Sequence, residues 1–217
     1  MKIRICTPVF GKTLKEFLKN LDKLQEVSEM VELRIDGLNL TKKDLILISK
    51  KIRKETILTS QNKEIIINSL DLGFNFIDVD LSMINDLKLS KNNKSKIIVS
   101  FHDYEKTPGI DFLKLLVDQI RKFGAGVIKI ATVVNDDQDI KNLFQILFDK
   151  KVEEKMIIIG MGEKGRSIRI LGPLLGSFLT FASTEFGSSA PGQIDINKMQ
   201  NIYKLLDSVY KLPTTNY

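Results

Sequence analysis

Met30-Val-Glu-Leu-Arg-Ile-Asp36 decides the architecture of this chain. Its even positions are Met30, Glu32, Arg34 and Asp36, and its odd positions are Val31, Leu33 and Ile35. Successive side chains of a strand point to opposite faces, so the charges share one face and the aliphatics fill the other. Phe76-Ile-Asp-Val-Asp-Leu81 repeats the pattern with Asp78 and Asp80. An open, doubly wound parallel sheet is covered by helices on both faces and wants near-continuous apolar strands. A closed (β/α)8 barrel has room for such polar faces. They point inward, near the C-terminal mouth where barrel active sites sit.

Working outward from that strand, short strand-like runs alternate with helical stretches along the whole chain. The runs are Ile3–Val9, Met30–Asp36, Thr56–Ser60, Phe76–Leu81, Lys96–His102, Val127–Val133, Lys155–Met161 and Leu179–Ser183. Thr13–Val27 carries Leu14, Phe17, Leu18, Leu21 and Leu24 at helical spacing. Thr41–Lys54 opens on an N-cap threonine with Asp44 three residues on. Ile110–Phe123, Asp136–Lys150 and Asp195–Tyr210 follow the same rule, and a shorter helix is expected around Ser82–Lys91. No Pro/Gly/Ser-rich linker interrupts the series. The expectation is one domain, residues 1–217, folded as a compact (β/α)8 (TIM) barrel.

Composition narrows the function classes. The chain has 217 residues, 43% of them hydrophobic, and a net charge of +6. A basic balance suits nucleic acid, an anionic membrane face or an anionic small substrate. The lysines are spread over nearly every segment, Trp is absent and aromatics are only 7%, so a base-stacking platform is poorly supplied. Nucleic acid is therefore not expected as a partner. No apolar run approaches the length of a membrane span, and the N-terminus lacks the apolar core of a signal peptide. Cys6 is the only cysteine, which excludes an intrachain disulfide and a Cys-based zinc site. The expected compartment is the cytoplasm, and no metal is expected.

Lys129 lies inside Gly126-Val-Ile-Lys-Ile-Ala-Thr-Val-Val134, a run that otherwise reads as a buried strand. A lysine there must shed its charge, find an anion, snorkel to water from a strand end, or do chemistry. Desolvation disfavours the ammonium, and a pKa brought from about 10.4 to roughly 7–8 would make the amine a nucleophile toward a carbonyl. His102, the only histidine, closes the preceding strand. Ser100 and His102 face together, as do Val127, Lys129 and Ala131 on the next strand. Two neighbouring barrel strands about 4.8 Å apart would bring an imidazole and an amine into one pocket. The alternative for His102 is a surface position at a strand end.

Gly160-Met-Gly-Glu-Lys-Gly165 matches G-x-G-x-x-G, with Glu185 twenty residues further on. A dinucleotide site needs a βαβ half around that fingerprint, and here a single strand follows. The motif is read instead as a turn feeding a helix N-terminus, an anion pocket to which Arg169 adds a fixed charge. Arg169 as a plain surface cation is the alternative. Phe186-Gly-Ser-Ser-Ala-Pro-Gly-Gln193 follows the last strand, and Ser188, Ser189 and Gln193 there are hydrogen-bonding groups suited to a polyol. A mobile loop without a ligand fits the same composition.

Taken in order, Glu32-Leu-Arg-Ile-Asp36, Ser100-Phe-His-Asp-Tyr-Glu-Lys-Thr-Pro108, Ile128-Lys-Ile-Ala131, Gly160 to Gly165 with Arg169, and Ser188-Ser-Ala-Pro-Gly-Gln193 resemble type I 3-dehydroquinate dehydratase over nearly the whole chain. The resemblance implies a cofactor-free, usually dimeric barrel enzyme of the shikimate pathway, here a homodimer. It implies that Lys129 forms a Schiff base with the C3 ketone of 3-dehydroquinate. His102 would assist imine formation and hydrolysis, remove a C2 proton and protonate the departing C1 hydroxyl, so that syn loss of water gives 3-dehydroshikimate. Glu32, Arg34, Arg169, Ser189 and Gln193 match the family's substrate-contacting positions, with Arg169 gripping the carboxylate.

One departure stands out. The family generally carries a substrate-binding arginine at the end of strand three, then a glutamate that supports the histidine and two glycines. This chain reads Thr59-Ser60-Gln61-Asn62-Lys63-Glu64-Ile65, so Ser60 or Gln61 falls at the arginine's place. Lys63 offers a point cation in exchange, and Glu64 stands at the glutamate's place. The loss is expected to lower affinity or alter the substrate while leaving the imine chemistry intact. It also motivates two other readings: another imine-forming barrel lyase or aldolase, and a non-catalytic ligand-binding relative.

Overall fold

The computed structural model describes residues 3–87, 89–90, 93 and 96–210. Its strands are β1 (Ile5–Val9), β2 (Met30–Arg34), β3 (Glu55–Thr59), β4 (Phe76–Asp80), β5 (Ile97–Asp103), β6 (Val127–Val133), β7 (Met156–Met161), β8 (Thr180–Ser183) and the two-residue β9 (Ile194–Asp195). They form a curled sheet in the order β7-β6-β5-β4-β3-β2-β1-β8-β9, with every strand pair parallel. This is the expected α/β barrel, with one weak seam. No ladder joins β7 to β8 among the described residues, and the gap is bridged by the Phe178 N–H donating to the Met156 carbonyl at 2.7 Å. The Ile158 N–H adds a bond to Ser177 Oγ at 3.2 Å.

The helices are α1 (Leu14–Val27), α2 (Lys42–Lys51), α3 (Lys63–Ser69), α4 (Ile110–Phe123), α5 (Asp137–Phe148), α6 (Arg166–Leu174) and α7 (Ile196–Tyr210). Local chemistry sets their ends. Thr41 and Asp44 form a reciprocal capping box on α2, and the extended backbone of Ile52 stops that helix three residues before the expected Lys54. Asp136 caps α5 through the N–H groups of Gln138 and Asp139. Gly124, with φ 85°, ends α4 in a left-handed turn that a side chain would oppose.

Two expectations need correction. The helix expected around Ser82–Lys91 is a single 3-10 stretch, Leu81–Asp86, capped by Asp80; Lys91 lies outside the described residues, as does the Pro213–Tyr217 tail. No helix is expected between the third and fourth strands, yet α3 forms there. Asn62 caps it by accepting from the N–H groups of Glu64 and Ile65, and Ile65 and Ile66 bury its inner face. At seven residues it is too short for its apolar period to stand out.

Strand parity sorts the interior as the sequence implies. The odd positions Val31, Leu33 and Ile35 join Ile77, Val79, Val99 and Ile130 in the layer between sheet and helices. Inside the barrel, Cys6, Met30, Ile57, Phe76, Ile98, Val127, Ile157 and Leu179 pack the lower lumen. The polar residues Glu32, Asp78, Ser100 and Lys129 are buried above them, one pleat further toward the C-terminal mouth.

The G-x-G-x-x-G stretch is a packing device. A Cβ on Gly165 would sit 2.4 Å from the Gly160 carbonyl carbon, and Gly162 has φ 79°. The turn therefore folds flat onto the end of β7 before α6 begins. Gly165→Ala forces backbone apart and should lower unfolding stability by about 1–3 kcal/mol in urea titrations. Gly37→Ala, where a Cβ meets open space, should stay within about 0.5 kcal/mol of the parent.

Candidate active site

The seven catalytic and substrate-binding candidates line one cavity of about 420 Å³ at the barrel mouth: Glu32 and Arg34 from β2, His102 from β5, Lys129 from β6, Arg169 from α6, and Ser189 and Gln193 from the loop after β8, whereas Ser188, also marked by the sequence, does not line it. Tyr104 joins them, and Ala131, Ile159, Met161, Phe181 and Ala190 make an apolar wall. A second hollow of about 650 Å³ shares Glu32, Arg34, His102, Tyr104 and Lys129 and extends toward β3 and β4. In register, Ser100 pairs with Lys129 and His102 with Ala131. The imidazole thus stands one pleat above the amine on the adjacent strand, as the alternation requires.

Lys129 is 6% exposed, and its Nζ donates to Asp78 Oδ2 at 2.6 Å; Asp78 is 3% exposed. The aromatic face of Phe181 lies 5.0 Å from Nζ. Burial pulls the amine's pKa down, but the carboxylates of Asp78 and Glu32 outweigh it and leave the pKa raised. This corrects the expectation of a depressed value. The buried lysine found an anion, and at rest it is an ammonium ion. Glu32 is itself held by the Thr59 hydroxyl, which donates to Oε1 at 3.0 Å, while Oε2 has no partner among the described residues.

Arg169 presents the opposite situation. It is fully buried, and only Nη2 is engaged, donating to the Pro191 carbonyl at 3.1 Å. Nε and Nη1 have no partner among the described residues. With no carboxylate to offset it, burial pushes the guanidinium down to about 10. An unpaired buried cation of this kind is costly unless an anion completes it. Its placement is deliberate in structural terms. The Tyr203 hydroxyl of α7 donates to the carbonyls of Arg169 and Ile170 at 3.2 and 2.9 Å, tying the helix down at that turn. Arg34 differs again: burial lowers its pKa, Glu32 and Asp36 more than restore it, and Nε donates to Asp36 Oδ2 at 3.2 Å.

The loop over the mouth is braced by its own side chains. Gln193 Oε1 accepts from the Ser189 N–H at 3.0 Å and from Ser188 Oγ at 2.9 Å, while Gln193 Nε2 donates to Ser189 Oγ at 2.9 Å. Gly192, with φ 78°, rests against Gly162, where a Cβ would come within 2.3 Å of the Gly162 carbonyl oxygen. The Gly162 N–H donates to the Pro191 carbonyl at 3.3 Å.

At the strand-three departure, Ser60 and Gln61 border the larger hollow, and the Gln61 N–H donates to Asp36 Oδ1 at 3.2 Å. Lys63 and Glu64 are exposed on the first turn of α3, and neither lines the two hollows. The point cation offered by Lys63 is therefore not in the site. The carboxylate beside the histidine is Asp80, whose Oδ2 lies 3.7 Å from His102 Nδ1. Sequence reasoning marked Asp78 and Asp80 as a polar face without naming their partners, which lie on β6 and β5. Among the described residues, no group of three or more His, Cys, Asp or Glu side chains could hold a metal ion.

This arrangement of amine, imidazole and unpaired guanidinium is accompanied by clear similarity to known proteins. The family model described as type I 3-dehydroquinase matches residues 5–209. A 3-dehydroquinate dehydratase of Coxiella burnetii is 41% identical, the alignment covering 93% of this chain and 92% of that protein. A 3-dehydroquinate dehydratase of Methanocaldococcus jannaschii is 35% identical, with 94% and 99% covered. The crystal structure of 3-dehydroquinate dehydratase from Geobacillus kaustophilus superposes with a TM-score of 0.85 at 21% identity, covering 97% of this chain and 93% of the other. The chain belongs to the type I 3-dehydroquinase family.

Proposed function

We propose that this chain is a 3-dehydroquinate dehydratase of the shikimate pathway, a hydro-lyase working through a Schiff base on Lys129. Family membership supports the activity. The observation that carries the site assignment is the pairing of functions in one cavity: a buried amine next to an imidazole, facing a buried guanidinium with two unpaired nitrogens. A substrate bearing both a ketone and a carboxylate completes each. The carboxylate takes the free nitrogens of Arg169, which fixes the ring across the cavity. Ser189, Gln193, Glu32 and Arg34 then face its hydroxyls.

The chemistry follows from charge. Lys129 gives up a proton, His102 being the nearby base, and the free amine adds to the C3 carbonyl. His102 returns a proton to the carbinolamine oxygen, water leaves, and an iminium remains. That iminium carries the same unit charge as the ammonium it replaces, so Asp78 stabilises it without moving. The cation draws electrons from the C2–H bond, and His102 takes the C2 proton to give an enamine. Collapse of the enamine expels the C1 hydroxyl as His102 protonates it, forming the C1–C2 double bond and restoring the iminium. Water then adds to C3 and releases 3-dehydroshikimate and the amine. The apolar wall of Ile159, Met161 and Phe181 limits water around the imine. The proposal extends to one catalytic domain acting as a cytoplasmic homodimer without a metal or cofactor; the resemblance supports the dimer, and the lone buried Cys6 is compatible with a reducing compartment.

Borohydride reduction in the presence of 3-dehydroquinate should leave a mass-detectable adduct on Lys129. Lys129→Ala should abolish adduct and turnover, while His102→Ala should still form adduct slowly and lose about 10²–10⁴-fold in kcat. Tight binding without an adduct would instead indicate a non-catalytic binder, and no binding at all would indicate another substrate. Arg169→Ala should raise KM about 10–100-fold, as loss of charged hydrogen bonds predicts. Asp78→Asn leaves burial less opposed, so the Lys129 pKa falls. The rising limb of the imine-formation rate should then move to lower pH in stopped-flow trapping, and an unmoved limb would remove Asp78 from this role.

A further inference from the structure

We infer that Asp80, and not Glu64, is the residue that positions His102 for proton transfer. The inference rests on the reading of His102 as the acid and base of the reaction. Three observations carry it. Asp80 closes β4 and pairs in register with Ser100, two residues before His102 on the neighbouring strand, so both side chains rise from the same face of the sheet. Its Oδ2 is 3.7 Å from His102 Nδ1, within ion-pair range though longer than a hydrogen bond, as catalytic contacts often are before substrate binds. Its other oxygen is already committed: Oδ1 accepts from the Ser82 N–H at 2.9 Å and from Ser82 Oγ at 2.6 Å.

The geometry has a chemical consequence. Ser82 pins the carboxylate, so Oδ2 can only accept, and what faces it must donate. That selects the tautomer with the proton on Nδ1 and leaves Nε2 bare to take a proton, and His102 lines the same cavity as Lys129. Tyr104 stacks on the imidazole with ring centroids 5.9 Å apart and planes 7° from parallel, limiting tilt of the ring. The contact with His102 also holds the Asp80 carboxyl down to about 2, so it is an anion throughout the working range. Glu64, at the place where the resemblance puts the supporting carboxylate, stands exposed on α3 and outside both hollows.

His102 is the only histidine in the chain, so a two-dimensional ¹H–¹⁵N imidazole spectrum reports on it alone. The parent protein should show the Nδ1–H tautomer when the ring is neutral. Asp80→Asn keeps its oxygen on Ser82 and turns an NH₂ toward Nδ1, so the ring should switch to the Nε2–H form. With 3-dehydroquinate, kcat should fall about 10²-fold or more while KM stays within about threefold, since a wrong tautomer removes the base and leaves binding intact. Glu64→Gln should keep the parental spectrum and kcat. Retention of the Nδ1–H form in both Asp80→Asn and Asp80→Ala would overturn the assignment, as would a switch in Glu64→Gln. The spectrum needs no substrate. If the parent fails to turn over 3-dehydroquinate, the functional reading falls by that result alone, and the tautomer still decides the role of Asp80.

Discussion

The 2.6 Å contact between Lys129 and Asp78 is the constraint around which the site is organised. Two opposite charges sit inside the barrel, each nearly sealed from water. Removing one member of such a pair commonly costs about 3–5 kcal/mol, because the other is left charged and uncompensated. The lumen accommodates the pair by dividing into storeys. Aliphatic and aromatic side chains fill the lower storey, and the polar storey is confined to the mouth. Lys129 is placed at the boundary, where one pleat separates a packed core from a reactive surface. The pair also keeps charge constant at Nζ through the proposed imine cycle, so the scaffold has little to reorganise as the reaction proceeds.

The other two cations of the mouth differ in how they are satisfied. Arg34 leans on Asp36 and Glu32 and is internally balanced. Arg169 has carbonyl contact from Pro191 and no carboxylate. Among the described residues the cavity therefore holds a buried cation whose Nε and Nη1 lack a partner, a position open to a carboxylate-bearing ligand. The absent strand-three arginine fits this picture. Ser60 and Gln61 border the larger hollow in its place, so in the proposed function carboxylate binding falls to Arg169.

Much of this was legible in the sequence, for definite reasons. Alternation in Met30–Asp36 sorted Glu32 and Arg34 to the lumen, because strand periodicity needs no partner to be read. Lys129 stood out because an ion in an apolar run is costly wherever it occurs. His102 followed from being a single titratable ring at a strand end. What could not be read were relations across strands. Asp78 is 51 residues from Lys129, with β5 lying between their strands. Nothing local in Phe76–Asp80 reveals that its carboxylate would reverse the expected direction of the lysine's pKa. Glu64 illustrates the converse. Its place in the chain matched an expectation, but α3 forms there and turns it to solvent, while Asp80 reaches the imidazole from the next strand.

The loop of residues 188–193 bears on more than ligand contact. It leans on Gly162 at the top of β7 from the far side of the gap between β7 and β8, where the sheet lacks a ladder. The loop thus acts as a clasp on the barrel's only unladdered joint among the described residues. The lip over the cavity and one of the fastenings across that joint are the same six residues. Reshaping that lip to admit a bulkier ring would loosen the joint, whereas changes on the β2–β3 side would not. The easier route to altered selectivity therefore runs through the hollow bordered by Ser60 and Gln61, away from the clasp.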